Sequence, residues 1–214
     1  AVTIEDLETV LVNFCKFNHN KATYSGGGLL LVKVVSARIY YTDFRYNSVR
    51  GLFTISQNNR EVFVGGGIHL SKCFTVALSQ TTFIANTKPN YGGALHITRC
   101  TNIIINNGLF KNNLAIEKGG VVYIRNSKNV LFTRSLFNSN MVTKYGSVAF
   151  FTDCNKVYRI SCFYISNYGE SMEVEHIEKN SVAVSNYLNC TFYNNSAHIS
   201  NSANTFGGVI VWQG

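Results

Sequence analysis

Two markers, Phe-x-x-Asn and then a doublet of tiny residues, recur along almost the whole chain at near-constant spacing. Phe17…Asn20, Phe44…Asn47, Phe83…Asn86, Phe110…Asn113, Phe137…Asn140, Tyr164…Asn167 and Phe192…Asn195 obey the first pattern. The steps between aromatics are 27, 39, 27, 27, 27 and 28 residues. Nine residues after the aromatic come Gly26-Gly27, Gly92-Gly93, Gly119-Gly120 and Gly146-Ser147. A unit of this size cannot bury a core alone, so its apolar face must be covered by the next unit.

Between the markers lie short runs such as Ala94 to Ile97, Ile103 to Ile105, Val121 to Ile124 and Val148 to Phe151, bounded by Asn, Gly or Ser. They are too short for helices and have the composition of strands. About 27 residues accommodate three strands and three turns. Leucine-rich repeats share the period, but the chain lacks their Leu-x-x-Leu-x-Leu scaffold and helical return. The spacing predicts an all-β parallel β-helix of about seven coils, each pairing with the next at about 4.8 Å.

Aligned by the aromatic, the columns acquire separate jobs. Phe17, Phe44, Phe83, Phe110, Phe137, Tyr164 and Phe192 are expected to stack inside. Asn20, Asn47, Asn86, Asn113, Asn140, Asn167 and Asn195 are expected to form a corner ladder, in the left-handed backbone region that Asn tolerates. Alternation puts Leu95 and Ile97 inside and His96 outside. The outward column His69, His96, Tyr123, Phe150, with Leu30 before it, is expected to be an exposed contact stripe for sugar rings or a protein, in preference to a two-histidine metal site.

Phe83, Asn86 and Gly92-Gly93-Ala94-Leu95 resemble the tandem repeats of the chlamydial polymorphic membrane proteins, and the resemblance runs from about Phe17 to Trp212. It implies a right-handed β-helix in an extracellular adhesive or surface-coat region, with no catalytic residues. The sixth unit departs from it, lacking Gly-Gly and reading Glu170 to Glu178 with four glutamates.

One domain, 1–214, is expected, with a candidate cap at 1–9 and insertions near 48–60, 168–181 and 196–205. Those loops are the natural binding suspects. Ala at position 1, in place of Met, reads as a chain processed or excised from something longer. No window approaches the 18 apolar residues of a membrane helix. The net charge of +8 admits an anionic surface or polysaccharide, while the singly scattered cations argue against nucleic acid.

Cysteines fall in two columns. Cys73 and Cys100, and Cys162 and Cys190, are each one coil apart, a spacing that a disulfide can span. Alternatively Cys fills a small slot, as Ser127 does in the first column. Asn189-Cys-Thr and Asn194-Asn-Ser are glycosylation sequons. Asp43, Glu61, Glu117 and Asp153 occupy different columns, so no pair of carboxylates for glycoside hydrolysis converges. No cofactor or structural metal is expected, since no Cys-x-x-Cys or His/Cys ligand spacing occurs.

The expected function is thus a non-catalytic structural or adhesive protein outside the cell or on its surface. Its partners would be other surface proteins, glycans or, end to end, copies of itself. A carbohydrate-binding or polysaccharide-processing β-helix is the alternative.

Overall fold

A computed structural model describes residues 1–50, 63–87, 89–169, 175–177, 182–197 and 210–212. The chain winds as a parallel β-solenoid in which every named strand pair is parallel and in register with its equivalents one coil away.

Three sheets form the walls. The first stacks Val2–Glu5, Leu29–Val32, Ile68–Ser71, Leu95–Thr98, Val122–Arg125, Ala149–Thr152, Glu175–Ile177 and Ile210–Trp212. The second stacks Thr9–Asn13, Ser36–Tyr40, Thr75–Ser79, Asn102–Asn106, Asn129–Thr133, Cys154–Ile160 and Val182–Leu188. The third stacks the aromatic strands Lys16–Asn18, Asp43–Arg45, Thr82–Ile84, Leu109–Lys111, Leu136–Asn138, Phe163–Ile165 and Thr191–Tyr193. Seven strands in each of the last two walls agree with the expected seven coils.

The core is the space enclosed by the walls. The aromatic column stacks through it with ring centroids 4.5 to 5.1 Å apart and planes within 14° of parallel. Leu95 and Ile97, Val122 and Ile124, and Ile103 and Ile105 close it from the other two walls. The last turns differ. Arg159 occupies the inward column held by Phe132 one coil earlier and is fully buried. Its Nη1 donates to Val157 O (3.2 Å) and Ser185 Oγ (2.7 Å). Its guanidinium lies 4.7 Å from the Phe151 ring centre and 4.5 Å from that of Tyr187.

Each junction between walls is made by one residue in the left-handed region, followed by a residue that locks the corner. The first corner carries Asp6, Lys33, Lys72, Arg99, Asn126 and Asp153, and the second carries Phe14, Tyr41, Gln80, Asn107, Arg134, Ser161 and Asn189. The third carries His19, Tyr46, Ala85, Asn112, Ser139, Ser166 and Asn194. All have φ between 46° and 57°. Side chains in this region cost about 1–2 kcal/mol each. The backbone recovers some of it by bonding between coils, as when Arg99 N–H donates to Arg125 O (3.0 Å) and Asn112 N–H to Asn138 O (3.1 Å).

The Asn ladder forms, but its backbone differs from expectation: the left-handed residue is the one before each Asn. This leaves the Asn side chain aimed along the axis. Asn86 donates both its N–H (3.1 Å) and its Nδ2 (3.0 Å) to Asn113 Oδ1, and Asn113 does the same to Asn140 Oδ1. The second proton of each Nδ2 goes backwards, from Asn113 to Phe83 O and from Asn140 to Phe110 O. Each interior rung thereby ties three coils together.

At the first two corners the locking residue is frequently Ser, Thr or Cys, and all six cysteines are such residues. Ser127 Oγ donates to Arg125 O and accepts the Cys100 N–H, while Cys100 Sγ donates to Thr98 O. Cys15, Cys73, Cys100, Cys154 and Cys190 are thiols, so neither Cys73–Cys100 nor Cys162–Cys190 is a disulfide. The thiols turn back toward the carbonyl two residues earlier, as Cys73 Sγ does to Ser71 O and Cys190 Sγ to Leu188 O.

Candidate contact surfaces

The expected exposed stripe is the main correction. His96, Tyr123 and Phe150 do stand on the outer side of the first sheet, outside the enclosed core, yet they are only 6%, 5% and 1% exposed. After each Asn the chain does not turn directly into the first sheet. It first pairs in a fourth short ladder, including Leu114–Ala115, Met141–Val142 and Tyr168–Gly169. It then lays Tyr91, Lys118 and Tyr145 in a column of bridges beside the stripe. The Tyr91 ring stacks on Tyr123 at 4.9 Å, and Lys118 Nζ sits 4.2 Å above the Phe150 ring. A second, thinner layer thus covers the stripe at Tyr123 and Phe150, while Leu30 and His69 at its other end are half-buried.

Burial also decides the state of the two histidines. Their rings meet edge to face at 4.7 Å, and His96 stacks on Tyr123 at 5.1 Å. Desolvation lowers His69 from 6.5 to about 4 and drives His96 well down, with the nearby charges of His69 and Arg125 adding to the effect. Both are therefore neutral at pH 7. Among the described residues, no cluster of three or more His, Cys, Asp or Glu gathers around a common point.

The exposed aromatic surface lies elsewhere, on residues that the periodicity did not single out. The left-handed residues point their side chains to solvent, and at the second and third corners of the first two coils these are rings. Phe14 (73% exposed) stacks on Tyr41 (53%) at 4.9 Å, and His19 stacks on Tyr46 (52%) at 4.8 Å. The two pairs stand at opposite edges of the third sheet, at either end of its three-residue strands. Between them the outer face carries Lys16, Asn18, Asp43 and Arg45. Arg45 Nη2 meets Asp43 Oδ2 at 3.0 Å, and Arg45 Nε is buried with no hydrogen-bond partner. The result is a shelf with stacked rings at both rims and hydrogen-bonding groups on its floor. The sequence signal was an aromatic three before and two after Phe17 and Phe44, repeated in adjacent units.

The sequon asparagines are exposed left-handed corner residues, with Asn189 Nδ2 on Ser161 Oγ (3.3 Å) and Asn194 Nδ2 on Ser166 Oγ (3.4 Å). Of the three suspected loops, 51–62 and 198–209 lie outside the described residues. In the acidic stretch only the backbone of 175–177 is described, with Glu175 in register with Ala149 and His176 with Phe150. Glu61 is also outside. The remaining regular-coil carboxylates pair with cations: Asp43 with Arg45, Glu117 with Lys144 (3.7 Å) and Asp153 with Arg125 (3.9 Å). No helix among the described residues is long and apolar enough to cross a membrane. No family model, curated protein or solved structure matches the chain.

Proposed function

We propose that this chain is a non-catalytic adhesive and structural β-solenoid of an extracellular or cell-surface protein, contacting glycans through its lateral face. The observation that carries this reading is the shelf between Phe14/Tyr41 and His19/Tyr46. Exposed ring pairs flanking an Asp–Arg floor combine apolar contact for sugar faces with donors and acceptors for hydroxyls. The likeness of the repeats to chlamydial polymorphic membrane proteins points the same way. Against catalysis, Asp43 lies on the third sheet, Glu117 beyond the fourth ladder and Asp153 at the first corner, and each faces a cation.

Self-association fits the same scaffold. The Asn ladder is directional, each rung donating to the Oδ1 of the next, so a coil added at either end has one compatible orientation.

The test is binding of neutral oligosaccharides on a glycan array by wild type and by Tyr41→Ser/Tyr46→Ser. Both tyrosines are half exposed and outside the core, so the variant keeps its fold by circular dichroism. Loss of the wild-type glycan signal supports the reading. Retention of that signal, or no signal from wild type, overturns it.

A further inference from the structure

The +8 charge looks scattered in the sequence because its members are 39 and 27 residues apart. Winding gathers them. Lys33, Lys72 and Arg99 are the left-handed residues of three successive first corners. Their backbones are tied coil to coil, Lys33 N–H to Ser71 O and Lys72 N–H to Thr98 O, both at 2.9 Å. Arg125, immediately before the next corner residue Asn126, and Lys128, two residues beyond it, extend the row by one more coil. All five are exposed. At about 4.8 Å per coil the corner residues advance in a nearly straight line along the axis.

The acidic neighbours stand at the ends of this row. Asp6 pairs with Lys33 at 3.1 Å and Asp153 with Arg125 at 3.9 Å. Among the described residues, Lys72 and Arg99 in the middle are in no ion pair. Uncharged groups line both sides. Thr98 Oγ1 donates to Ser71 Oγ (3.3 Å) on the first sheet, and Asn129 Nδ2 donates to Asn102 Oδ1 (2.9 Å) on the second. Phe74, 56% exposed, stands two residues beyond Lys72.

We propose that this corner is a binding track for a linear acidic polysaccharide, sulfated or uronate-bearing, laid parallel to the solenoid axis. Cations at one coil spacing meet the repeating acidic groups. The flanking hydroxyls and amides meet sugar hydroxyls, and Phe74 offers one ring face. Nucleic acid fits less well. Duplex phosphates are far denser, at about one charge per 1.7 Å, and wind away from a straight row. A single strand asks for a series of stacking rings, and here there is one. The proposal does not rest on the aromatic shelf, which lies at the second and third corners.

The test uses isothermal titration with a heparin-derived dodecasaccharide and a polygalacturonate oligomer. A single-stranded oligonucleotide of equal charge is the competitor. Lys72→Asn/Arg99→Asn removes two central cations and suits the backbone, since Asn126 already occupies that column with φ 51°. Lys111→Asn/Arg134→Asn removes the same charge elsewhere, Arg134 sharing its corner column with Asn107. The track predicts at least tenfold weaker binding of one of the two saccharides for the first variant. It predicts no more than a twofold change for the second. Equal losses in both variants, no binding by wild type, or tighter binding of the oligonucleotide would overturn it. Because the neutral-glycan shelf keeps its residues in both variants, its array signal reports separately.

Discussion

Replacing Asn113 with Ala should be far more damaging than the same change at Asn20, although both occupy one column. At Asn113 four hydrogen bonds disappear. They are the Asn86 N–H and Nδ2 donations to its Oδ1, and its own Nδ2 donations to Phe83 O and Asn140 Oδ1. All four are buried, and the Asn86 N–H and one Nδ2 proton lose their acceptor outright. At about 1 kcal/mol per bond, with the orphaned donors at the upper end of the range, the cost is about 4 kcal/mol. At Asn20 the substitution removes the Nδ2 bond to Asn47 Oδ1 from a half-buried site, because the N–H bond to Asn47 is a backbone donation and survives. That is about 1 kcal/mol or less. For a chain of this size each kcal/mol is about 2–4 °C in Tm. Asn113→Ala should thus melt about 8–16 °C below wild type, and Asn20→Ala within about 4 °C. Calorimetry of the two variants checks this, and equal shifts would mean that the ladder does not hold the coils together.

Acid should weaken the fold before its carboxylates titrate. His69 has a folded value of about 4 against 6.5 when unfolded, so the unfolded chain takes up the proton first as pH falls. Stability is full above pH 6.5 and declines toward pH 4, by up to about 3 kcal/mol from His69 alone, with His96 acting in the same direction. Urea titrations at pH 7 and pH 4.5 measure this, and His69→Phe/His96→Phe should flatten the difference. Gly93→Ala should be strongly destabilising, because its Cβ would lie 2.1 Å from Gly120 O. Gly28→Ala, whose column already carries Ala94, should remain folded, and soluble expression of the two variants side by side checks both outcomes.

Phe110 and Asn113 were legible because nearly every coil repeats the residue itself, so a side-chain role surfaced as a column of identical letters. The corners were not. They require a backbone angle that Lys33, Tyr41, Ala85 and Arg134 all adopt, and a shared φ leaves no shared residue type to read. His96 was misjudged for a different reason. Period-two alternation tells which side of a strand a residue faces, but not whether Tyr91 or Lys118 will later be laid over it. The role of Cys100 was present as Ser127 in its column, since both donate to the carbonyl two residues back. The row through Lys72 and Arg99 escaped because charge runs are sought along the chain, and here they accumulate across it.

Arg159 has a mechanical consequence. In a solenoid each coil is held only by its neighbours, so the rod is as strong as its weakest junction. From Phe44 to Phe137 every junction joins apolar faces. Between the sixth and seventh coils the facing inward pairs are Val157 with Ser185 and Arg159 with Tyr187. The Tyr164–Phe192 stack still spans this junction, but separating the two turns there would also expose a guanidinium and a hydroxyl that water solvates readily, so less hydrocarbon is uncovered than at the junctions below. Tension along the axis would therefore find its fracture plane above Arg159, shedding the last turn as a unit while the aromatic column beneath it stays closed.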